Sequence, residues 1–378
     1  MRPEPGVTRL RHVGIVGAGL AGLAAAVAAA AAGVHVEVFD AAPDVAAPPA
    51  QIDVVPNLVR DLSALGLAEA CVRRGFAYRG VSVVDAYGRA HFEIETPALG
   101  GARLPAAIGM PYAELLRVLR DSALARGAVV HWQCTVCGVE APAARPHIAL
   151  ADGRRHRFDL VVMAGAADVA GIELPLHAGG ERLPQRWDYV LLPRPQGLDQ
   201  VTWVVGPGRT KAMIVPVSMR EAGLALLRDE RMAGAPAAGT PAQLRAALAV
   251  EGDLLARLGE SLRDDATVVG RPVRSGLLAG AWHVGAVLRL GSSAHVLPPH
   301  FGQAAAQSVE DAAVLGDLLR ADLERDELLA RFGARRATRA ARVHALVSQA
   351  ARWDLDPEPA TDLAALARRL APIVAHGA

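Results

Sequence analysis

The segment that most constrains the fold of this sequence is His12–Asp40, HVGIVGAGLAGLAAAVAAAAAGVHVEVFD. A short run rich in β-branched residues, Val13–Val16, precedes a glycine turn, and Leu20–Ala32 consists almost entirely of helix-forming residues. Gly33 suits the position after a helix, and alternating valines follow it. The segment therefore predicts a strand, a helix and a second strand, the βαβ unit of a parallel sheet.

The glycines of this unit have the spacing of a dinucleotide-binding turn. Gly17, Gly19 and Gly22 form GxGxxG between the first strand and the helix. In such a turn the first glycine permits the bend, the second lets a pyrophosphate approach the backbone, and the third lets the helix pack on the strand. Asp40 closes the second strand, where a carboxylate can accept hydrogen bonds from ribose hydroxyls. We therefore expect these three glycines and Asp40 to bind a dinucleotide.

The balance of charge and hydrophobicity narrows the range of partners. The chain has 378 residues with 52% hydrophobic content, which predicts two interlocked domains. Its 40 basic and 39 acidic residues give a net charge of +1 and form no nucleic-acid footprint. The N-terminal apolar run is interrupted by glycines, so neither a membrane span nor a signal peptide is predicted. We expect a small-molecule partner.

The three cysteines are too few for a disulfide framework, which favours a cytoplasmic protein. Cys134 and Cys137 have CxxC spacing, but they fall on a predicted strand, where residues three apart point to opposite faces. We therefore expect core cysteines and no metal site.

Distant segments carry a second set of motifs. They are YAELLRVLRDSALARGAVVHW, FDLVVMAGAAD and WHVGAVLRLGSSAHVLPPHFGQAAAQSVEDAAVL. With the βαβ unit, they resemble the flavoprotein aromatic hydroxylases, FAD-dependent monooxygenases of the para-hydroxybenzoate hydroxylase fold. The resemblance implies an α/β protein with a Rossmann-like FAD-binding domain, a mixed-sheet substrate domain and C-terminal helices. It also implies FAD as cofactor and NAD(P)H as reductant.

The third motif matches the loop that holds the flavin ring in that family. The matching positions are Gly291, Ala294, His295, Pro299, Gly302, Gln303, Glu310 and Asp311. The resemblance implies cofactor contacts from Gly291, Ser292, Pro299, Gly302 and Gln303. Independently, the start of the following helix would stabilise the negative charge of a reduced flavin. His295 is expected to be a hydrogen-bonded loop residue.

Several positions depart from the family pattern. Ser292 and Gly165 replace acids, Ala166 replaces a glycine, Ala46 and Tyr112 replace arginines, and Pro49, Gln51 and Ala304 replace glycines. Losing three or four polar contacts would cost roughly 4–8 kcal/mol of FAD binding. The sequence therefore leaves open a protein in which FAD binding is weak, rearranged or lost.

The resemblance divides the chain into segments. Residues 1–70, 101–175 and 271–330 are expected to form a discontinuous FAD-binding domain, 71–100 and 176–270 the substrate domain, and 331–378 C-terminal helices. WDYVLLPR, QVTWVVGPGR and KAMIVPVS predict strands, and TPAQLRAALAVEGDLLARLGESL predicts helix. The segment Asp322–Trp353 is expected to form a pair of closing helices.

These features support three functional hypotheses. The first is an FAD-dependent monooxygenase that uses NAD(P)H and O₂ to hydroxylate an aromatic or polyketide-like molecule. Its candidate pocket residues are Tyr189, Trp203, Met213, Pro299 and His300, although the first three suit a core equally well and His300 suits an exposed loop. The second is a degenerate flavoprotein fold that acts as a ligand-binding or cofactor-independent protein. The third is an NAD-dependent oxidoreductase that uses the Asp40 contact. No catalytic residue is predicted.

Overall fold

The structure, a computed structural model, describes residues 10–45, 47–140, 145–165, 180–206, 211–232 and 239–378. Its strands are β1 (His12–Val16), β2 (His35–Phe39), β3 (Gln51–Val54), β4 (Phe76–Tyr78), β5 (Gly80–Asp85), β6 (Ala90–Glu95), β7 (Ala107–Pro111), β8 (Val129–His131), β9 (Val136–Glu140), β10 (His147–Leu150), β11 (Arg155–Arg157), β12 (Leu160–Met163), β13 (Glu181–Pro193), β14 (Val201–Val205), β15 (Lys211–Pro216), β16 (Glu221–Asp229), β17 (Val269–Leu277), β18 (His283–Val284), β19 (Val287–Arg289) and β20 (His295–Val296). Its α-helices are α1 (Leu20–Ala31), α2 (Pro56–Ala64), α3 (Ala68–Arg74), α4 (Tyr112–Ala125), α5 (Pro241–Ala249), α6 (Asp253–Glu260), α7 (Gln303–Arg320), α8 (Arg325–Leu355) and α9 (Leu363–Val374).

The first sheet is built around the predicted βαβ unit. Its strand order is β18-β19-β12-β1-β2-β8, and all neighbours are parallel except β18 and β19. Helix α1 is almost entirely buried and packs against α7. A Cβ atom added at Gly316 of α7 would lie only 3.0 Å from the Cβ of Ala28. Small residues thus allow α1 and α7 to approach closely. The predicted βαβ unit, β1-α1-β2, is confirmed.

A small antiparallel sheet, β11-β10-β9, contributes to a hydrophobic cluster on the other face of the first sheet. The ring of Phe158 lies against Gly14 of β1, where an added Cβ would come within 2.6 Å of it. Cys134 is half-buried and Cys137 on β9 is exposed, so the prediction of core cysteines is wrong for Cys137. The register between β9 and β10 shifts between Val136 and Gly138, so Cys137 lies at an irregular position that the regular alternation of a strand does not describe.

The second sheet has the order β20-β17-β13-β16-β15-β14-β5-β6 and is mixed, because β14 and β5 are parallel. Helices α5 and α6 cover one face with leucine side chains. The strands predicted from the three apolar runs are confirmed as β13, β14 and β15. The domain boundaries stay a prediction: β17 crosses the expected boundary at residue 270, and the boundary at residues 175 and 176 lies outside the described residues.

The closing segment differs from the prediction. Arg325–Leu355 forms one helix, α8, rather than a pair, and the next helix, α9, begins at Leu363 after an N-cap from Asp362. No proline interrupts α8, and its Gly333 weakens a helix by only about 1 kcal/mol. No helix in the described part of the chain combines the length and apolar character needed to cross a membrane.

A buried ion network joins α8 to α7. The Arg336 guanidinium, which is 0% exposed, donates to Glu310 Oε2 at 2.5 Å and to Asp311 Oδ1 at 2.6 Å. Arg60 of α2 and Arg339 of α8 also donate to Glu310. Burial alone would raise the pKa of Asp311, but the Arg336 charge and the bonds from His295 and Gly291 outweigh it and lower that pKa. Arg336 thus helps to keep the Asp311 carboxylate ionised although it is buried.

We expect Arg336→Met to lower the free energy of unfolding by about 3–5 kcal/mol, because it leaves the Asp311 carboxylate buried without its arginine partner and removes one of the three arginines that pair with Glu310. Urea unfolding at neutral pH measures the change. Arg331→Met is the matched control on the same helix, since its pairing with Glu327 is exposed and contributes less than about 0.5 kcal/mol. A loss below about 1 kcal/mol for Arg336→Met would contradict a structural role for this network.

Candidate functional site

The glycine turn after β1 forms an open cradle. Gly17 has φ +102°, a conformation that side chains rarely adopt, and a Cβ on Gly22 would lie 1.8 Å from the carbonyl oxygen of Gly17. At Gly19, in contrast, an added Cβ would meet no atom within 4 Å. Gly17 and Gly22 therefore have the backbone and packing roles that their spacing predicts, while the pyrophosphate contact at Gly19 stays a prediction. The space above Gly19 suits a pyrophosphate at the start of α1.

Asp40 lies beside this turn, at the end of β2. Its carboxylate accepts from the backbone N–H groups of Ala18 at 2.6 Å and Ala42 at 2.8 Å. A carboxylate offers about four acceptor positions, so both oxygens retain capacity for ribose hydroxyls. Asp40 thus fixes the turn, and its contact with a nucleotide stays a prediction.

The loop after β19 packs directly on this cradle. Gly291 has φ +56°, and a Cβ there would lie 2.4 Å from the Cβ of Ala21 on the first turn of α1. The Ser293 hydroxyl donates to the carbonyl of Gly165, which follows β12. The carboxyl ends of β1, β12 and β19 therefore meet at one edge of the parallel sheet, the usual ligand position in such sheets.

The side chains of His295 and Ser292 differ in their contacts within this loop. His295 is buried, and its Nε2 lies 2.8 Å from Asp311 Oδ2, so the predicted hydrogen-bonded loop histidine is confirmed. Ser292 is half-buried, and within the described residues its hydroxyl has no hydrogen-bond partner. Asp311 also accepts from the Gly291 N–H at 2.8 Å. The loop geometry thus depends on Asp311, while the predicted cofactor contact of Ser292 stays a prediction.

The second half of the loop leads into α7. Pro299 precedes a short 3₁₀ turn, and Gly302, with φ +66°, is the residue before α7. Gln303 begins the helix, but its buried side-chain amide bonds to Asn57 and to the carbonyl of Phe301. Any cofactor contact from Gln303 would therefore come from its backbone, in the first turn where helix N–H groups lack intrahelical partners.

The candidate pocket residues of the second sheet lie on one face. Tyr189 pairs with Ala225, which pairs with Met213, which pairs with Trp203, so their side chains form a row across β13, β16, β15 and β14. Tyr189, Trp203 and Met213 are only partly buried. This face is opposite to the one that α5 and α6 cover. The row thus forms an apolar surface with two aromatic rings.

A hydrogen-bonded group of His300, Asp354 and Lys211 adjoins this surface. His300 is buried rather than exposed: its Nε2 lies 2.9 Å from Asp354 Oδ2, and its ring is 6.4 Å from that of Trp187, edge to face. The other Asp354 oxygen bonds to the ammonium of Lys211. The sequence did not reveal Asp354, which lies at the C-terminal end of α8, one residue beyond the segment predicted to form the closing helices. Lys211 could have been singled out in the sequence only because it is the one lysine of the chain.

Several buried polar atoms near this surface have no partner within the described residues. They include Nε1 of Trp187, Nδ1 of His300 and both amide atoms of Gln51. The Gln51 side chain packs on Gly223 of β16, where an added Cβ would lie 2.4 Å from it. Buried polar atoms normally have hydrogen-bond partners, so this arrangement fits a polar ligand. Gln51 therefore adds an amide in place of the glycine that the family pattern carries.

Two further groups have shifted pKa values. Burial raises the pKa of Asp53 on β3 to about 6, although a hydrogen bond from Tyr78 opposes the shift. Burial also raises the pKa of Tyr112 to about 12, which the charge of Arg271 partly offsets. Arg271 is opposite Trp187 in the sheet register and therefore shares its face. Asp53, Tyr78 and Arg271 were not predicted. Ala46 and Ala166 lie outside the described residues.

Comparison with known proteins extends the similarity to nearly the whole chain. The family model of an NAD(P)-binding Rossmann-like domain matches residues 15–57. YetM of Bacillus subtilis is 24% identical over 358 residues, covering 93% of this chain and 96% of YetM. The 3-amino-4-hydroxybenzoate 2-monooxygenase of Streptomyces cremeus is 28% identical over 332 residues, covering 82% of this chain and 78% of that enzyme. The crystal structure of Klebsiella pneumoniae HpxO with FAD and uric acid is 23% identical, with a TM-score of 0.76 over 97% of this chain and 93% of HpxO. The predicted fold is confirmed.

We expect Asp53→Asn to stabilise the protein at pH 8 and to have little effect at pH 4. The pKa of Asp53 is raised from 3.8 to about 6, so its ionisation opposes folding and the free energy of unfolding falls as pH rises through this range. The difference corresponds to at most about 3 kcal/mol at pH 8, and Asn can still accept from Tyr78. Urea unfolding at both pH values measures it, with the exposed Asp199→Asn as control. Equal destabilisation at both pH values would contradict this account.

Proposed function

We propose that this chain, which has the fold of the flavoprotein aromatic hydroxylases over nearly its full length, is an FAD-dependent monooxygenase acting on an aromatic small molecule. NAD(P)H would supply the electrons, and O₂ the inserted oxygen atom. One observation carries the proposal: the loop after β19 packs at Gly291 on the helix that starts at the open cradle, and its His300 lies beside an aromatic surface that bears unpaired polar atoms. Relatives named as monooxygenases support it.

The residues of the first sheet fit an FAD molecule. The Gly17–Gly22 turn would hold the pyrophosphate against the start of α1, and Asp40 would hold the ribose. Gly291, Ser292 and the Pro299–Gly302 turn would border the flavin, whose negative charge after reduction the N-terminus of α7 would stabilise. When bound, FAD would supply electron transfer from NAD(P)H and the activation of O₂, chemistry that side chains cannot perform.

The second sheet would bind the substrate. The row of Tyr189, Met213 and Trp203 offers a flat apolar surface on which an aromatic ring can stack. Nε2 of His300 is engaged by Asp354, and Nδ1 is a buried ring nitrogen without a partner among the described residues. We propose that Nδ1 accepts a hydrogen bond from a hydroxyl or amino group of the substrate. The guanidinium of Arg271, on the same sheet face, would bind a substrate carboxylate.

The two other hypotheses are less well supported. An NAD-dependent oxidoreductase would use the cradle at Gly19 but would leave the loop and the aromatic surface without a role. A degenerate fold was suggested by the replaced acids at Ser292 and Gly165. However, the cradle is open at Gly19, and the loop that carries Ser292 keeps its contacts with Asp311. The need for NAD(P)H and the three free thiols favour the cytoplasm as the site of action.

The proposed activity has a direct test. The purified protein is expected to bind FAD, with the visible absorption of a flavin, and to oxidise NAD(P)H faster when a suitable aromatic acid is present. Mass spectrometry with isotopically labelled O₂ should show one labelled oxygen atom in the product. A panel of aminobenzoates and hydroxybenzoates, with uncharged analogues for comparison, tests the role of Arg271. A protein that binds no FAD, even in excess, would refute the proposal.

We expect Gly19→Val to weaken FAD binding by at least about 100-fold while leaving the melting temperature without FAD nearly unchanged. The new side chain would meet no protein atom but would fill the space for the pyrophosphate. Titration of flavin fluorescence measures the affinity. Gly333→Val in α8 is the matched control, because a Cβ there also meets no atom within 4 Å. Unchanged affinity for Gly19→Val would place the cofactor elsewhere.

We expect Ser292→Asp to tighten FAD binding by about one to two decades, since a charged hydrogen bond contributes about 1.5–3 kcal/mol. The melting temperature without FAD should change little, because Ser292 is half-buried and makes no hydrogen bond among the described residues. Ser292→Asn is the control, because the Asn side chain has the shape of Asp but carries no charge. No gain in affinity, together with a lower melting temperature, would show that the loop does not face a flavin.

A further inference from the structure

Four histidines and one glutamate converge on the face of the first sheet that lies opposite α1. His12 on β1 is directly opposite His35 on β2, and Glu37 follows on the same face two residues later. His131 is the last residue of β8, and His156 lies on β11 of the small sheet. The flavin and substrate sites use none of these five side chains. We name them the histidine cluster.

Glu37 is at the centre of the histidine cluster. Its Oε1 lies 2.8 Å from His12 Nε2, and its Oε2 lies 2.7 Å from His131 Nε2 and 3.5 Å from His156 Nδ1. One ligand atom from each of His12, His35 and Glu37 can be chosen such that all three lie within 4.8 Å of one another. The rings of His12 and His35 are 4.7 Å apart. Two imidazoles and one carboxylate therefore converge.

The surroundings favour a built site over a chance group of surface residues. All three converging residues lie on adjacent parallel strands, whose backbone positions are fixed by the sheet. The Glu37 side chain is only 14% exposed and the His12 side chain 32%, so the carboxylate is partly withdrawn from water, while His35 is exposed and open to an entering ion. The ring of Phe39 stacks on His131 at 4.7 Å and 15°, which fixes the imidazole that contacts Glu37.

We propose that His12, His35 and Glu37 bind one divalent transition-metal ion, of which Zn²⁺ is the best-suited example. Two histidines and a carboxylate are a common three-residue Zn²⁺ ligand set, with the fourth position left to water. Imidazole nitrogen suits Zn²⁺, Cu²⁺ and Ni²⁺, whereas Mg²⁺ and Ca²⁺ require oxygen ligands. Glu37 would bind the ion through Oε1.

His131 has a separate role as a positioning residue. Because its Nε2 lies against Glu37 Oε2, it can donate there while Oε1 faces the ion. Such outer contacts orient ligand carboxylates, and their removal weakens metal binding by about 10–100-fold. His131→Phe retains the ring that stacks on Phe39 but removes the donor, so it separates this role from packing.

Calorimetric titration of the full chain with Zn²⁺ tests the proposal, after removal of any histidine tag and treatment with a chelator. We expect one ion per chain, and affinity lowered by more than about 10-fold in Glu37→Gln and in His35→Ala. We expect a loss of about 10–100-fold in His131→Phe and no loss in His91→Ala, an exposed histidine of the second sheet. Zn²⁺ should also raise the melting temperature of the parent but not of Glu37→Gln, whose circular dichroism verifies its fold.

Three results would overturn the proposal. The first is the absence of saturable Zn²⁺ binding by the parent protein. The second is unchanged binding by the double variant His35→Ala, Glu37→Gln, which would place the ion elsewhere. The third is equally strong binding of Mg²⁺, which would show attraction to charge rather than coordination by imidazole.

Discussion

The structure depends most on the buried guanidinium of Arg336. It compensates two adjacent carboxylates of α7, Glu310 and Asp311, whose side chains are at most 1% exposed. Taking three charges out of water is costly, and only close pairing in a medium of low dielectric constant offsets that cost. The contact therefore permits little variation in the distance or rotation between α7 and α8. It fixes α8, from which Asp354 reaches the candidate substrate pocket.

The same network also holds the loop of the candidate cofactor site in place. The Asp311 carboxylate, held by Arg336, accepts from the backbone of Gly291 and from the ring of His295. These bonds shape the loop that packs on α1 and the glycine turn. The charge pair thus couples the packing of the C-terminal helices to the geometry of a loop at the edge of the parallel sheet. A chain of contacts connects Arg336, which touches no ligand, to the proposed flavin position.

Local patterns predicted well those parts of the fold that local interactions determine. The βαβ unit could be predicted from helix-forming alanines and alternating valines. Tyr189, Met213 and Trp203 could be predicted only as residues of strands, because their common row depends on the register between the strands. The extent of α8 could not, because its ends depend on contacts with distant elements. The pairing of His300 with Asp354 could not be predicted either, since 54 residues separate them and only the tertiary fold brings them together. For Gln303 the sequence predicted a cofactor contact, but its side chain bonds to Asn57 and to the carbonyl of Phe301.

The replacement of the motif acid by Ser292 is consistent with this division of roles. The side-chain hydrogen bonds that hold the first half of the loop include Asp311 with Gly291, Asp311 with His295, and Ser293 with Gly165. None of them involves the side chain of residue 292. An acid at that position would therefore contribute to ligand binding but not to the conformation of the loop. Because the two contributions are separable, the sequence can lose the acid while the site keeps its geometry, and the affinity for the cofactor can change without loss of the fold.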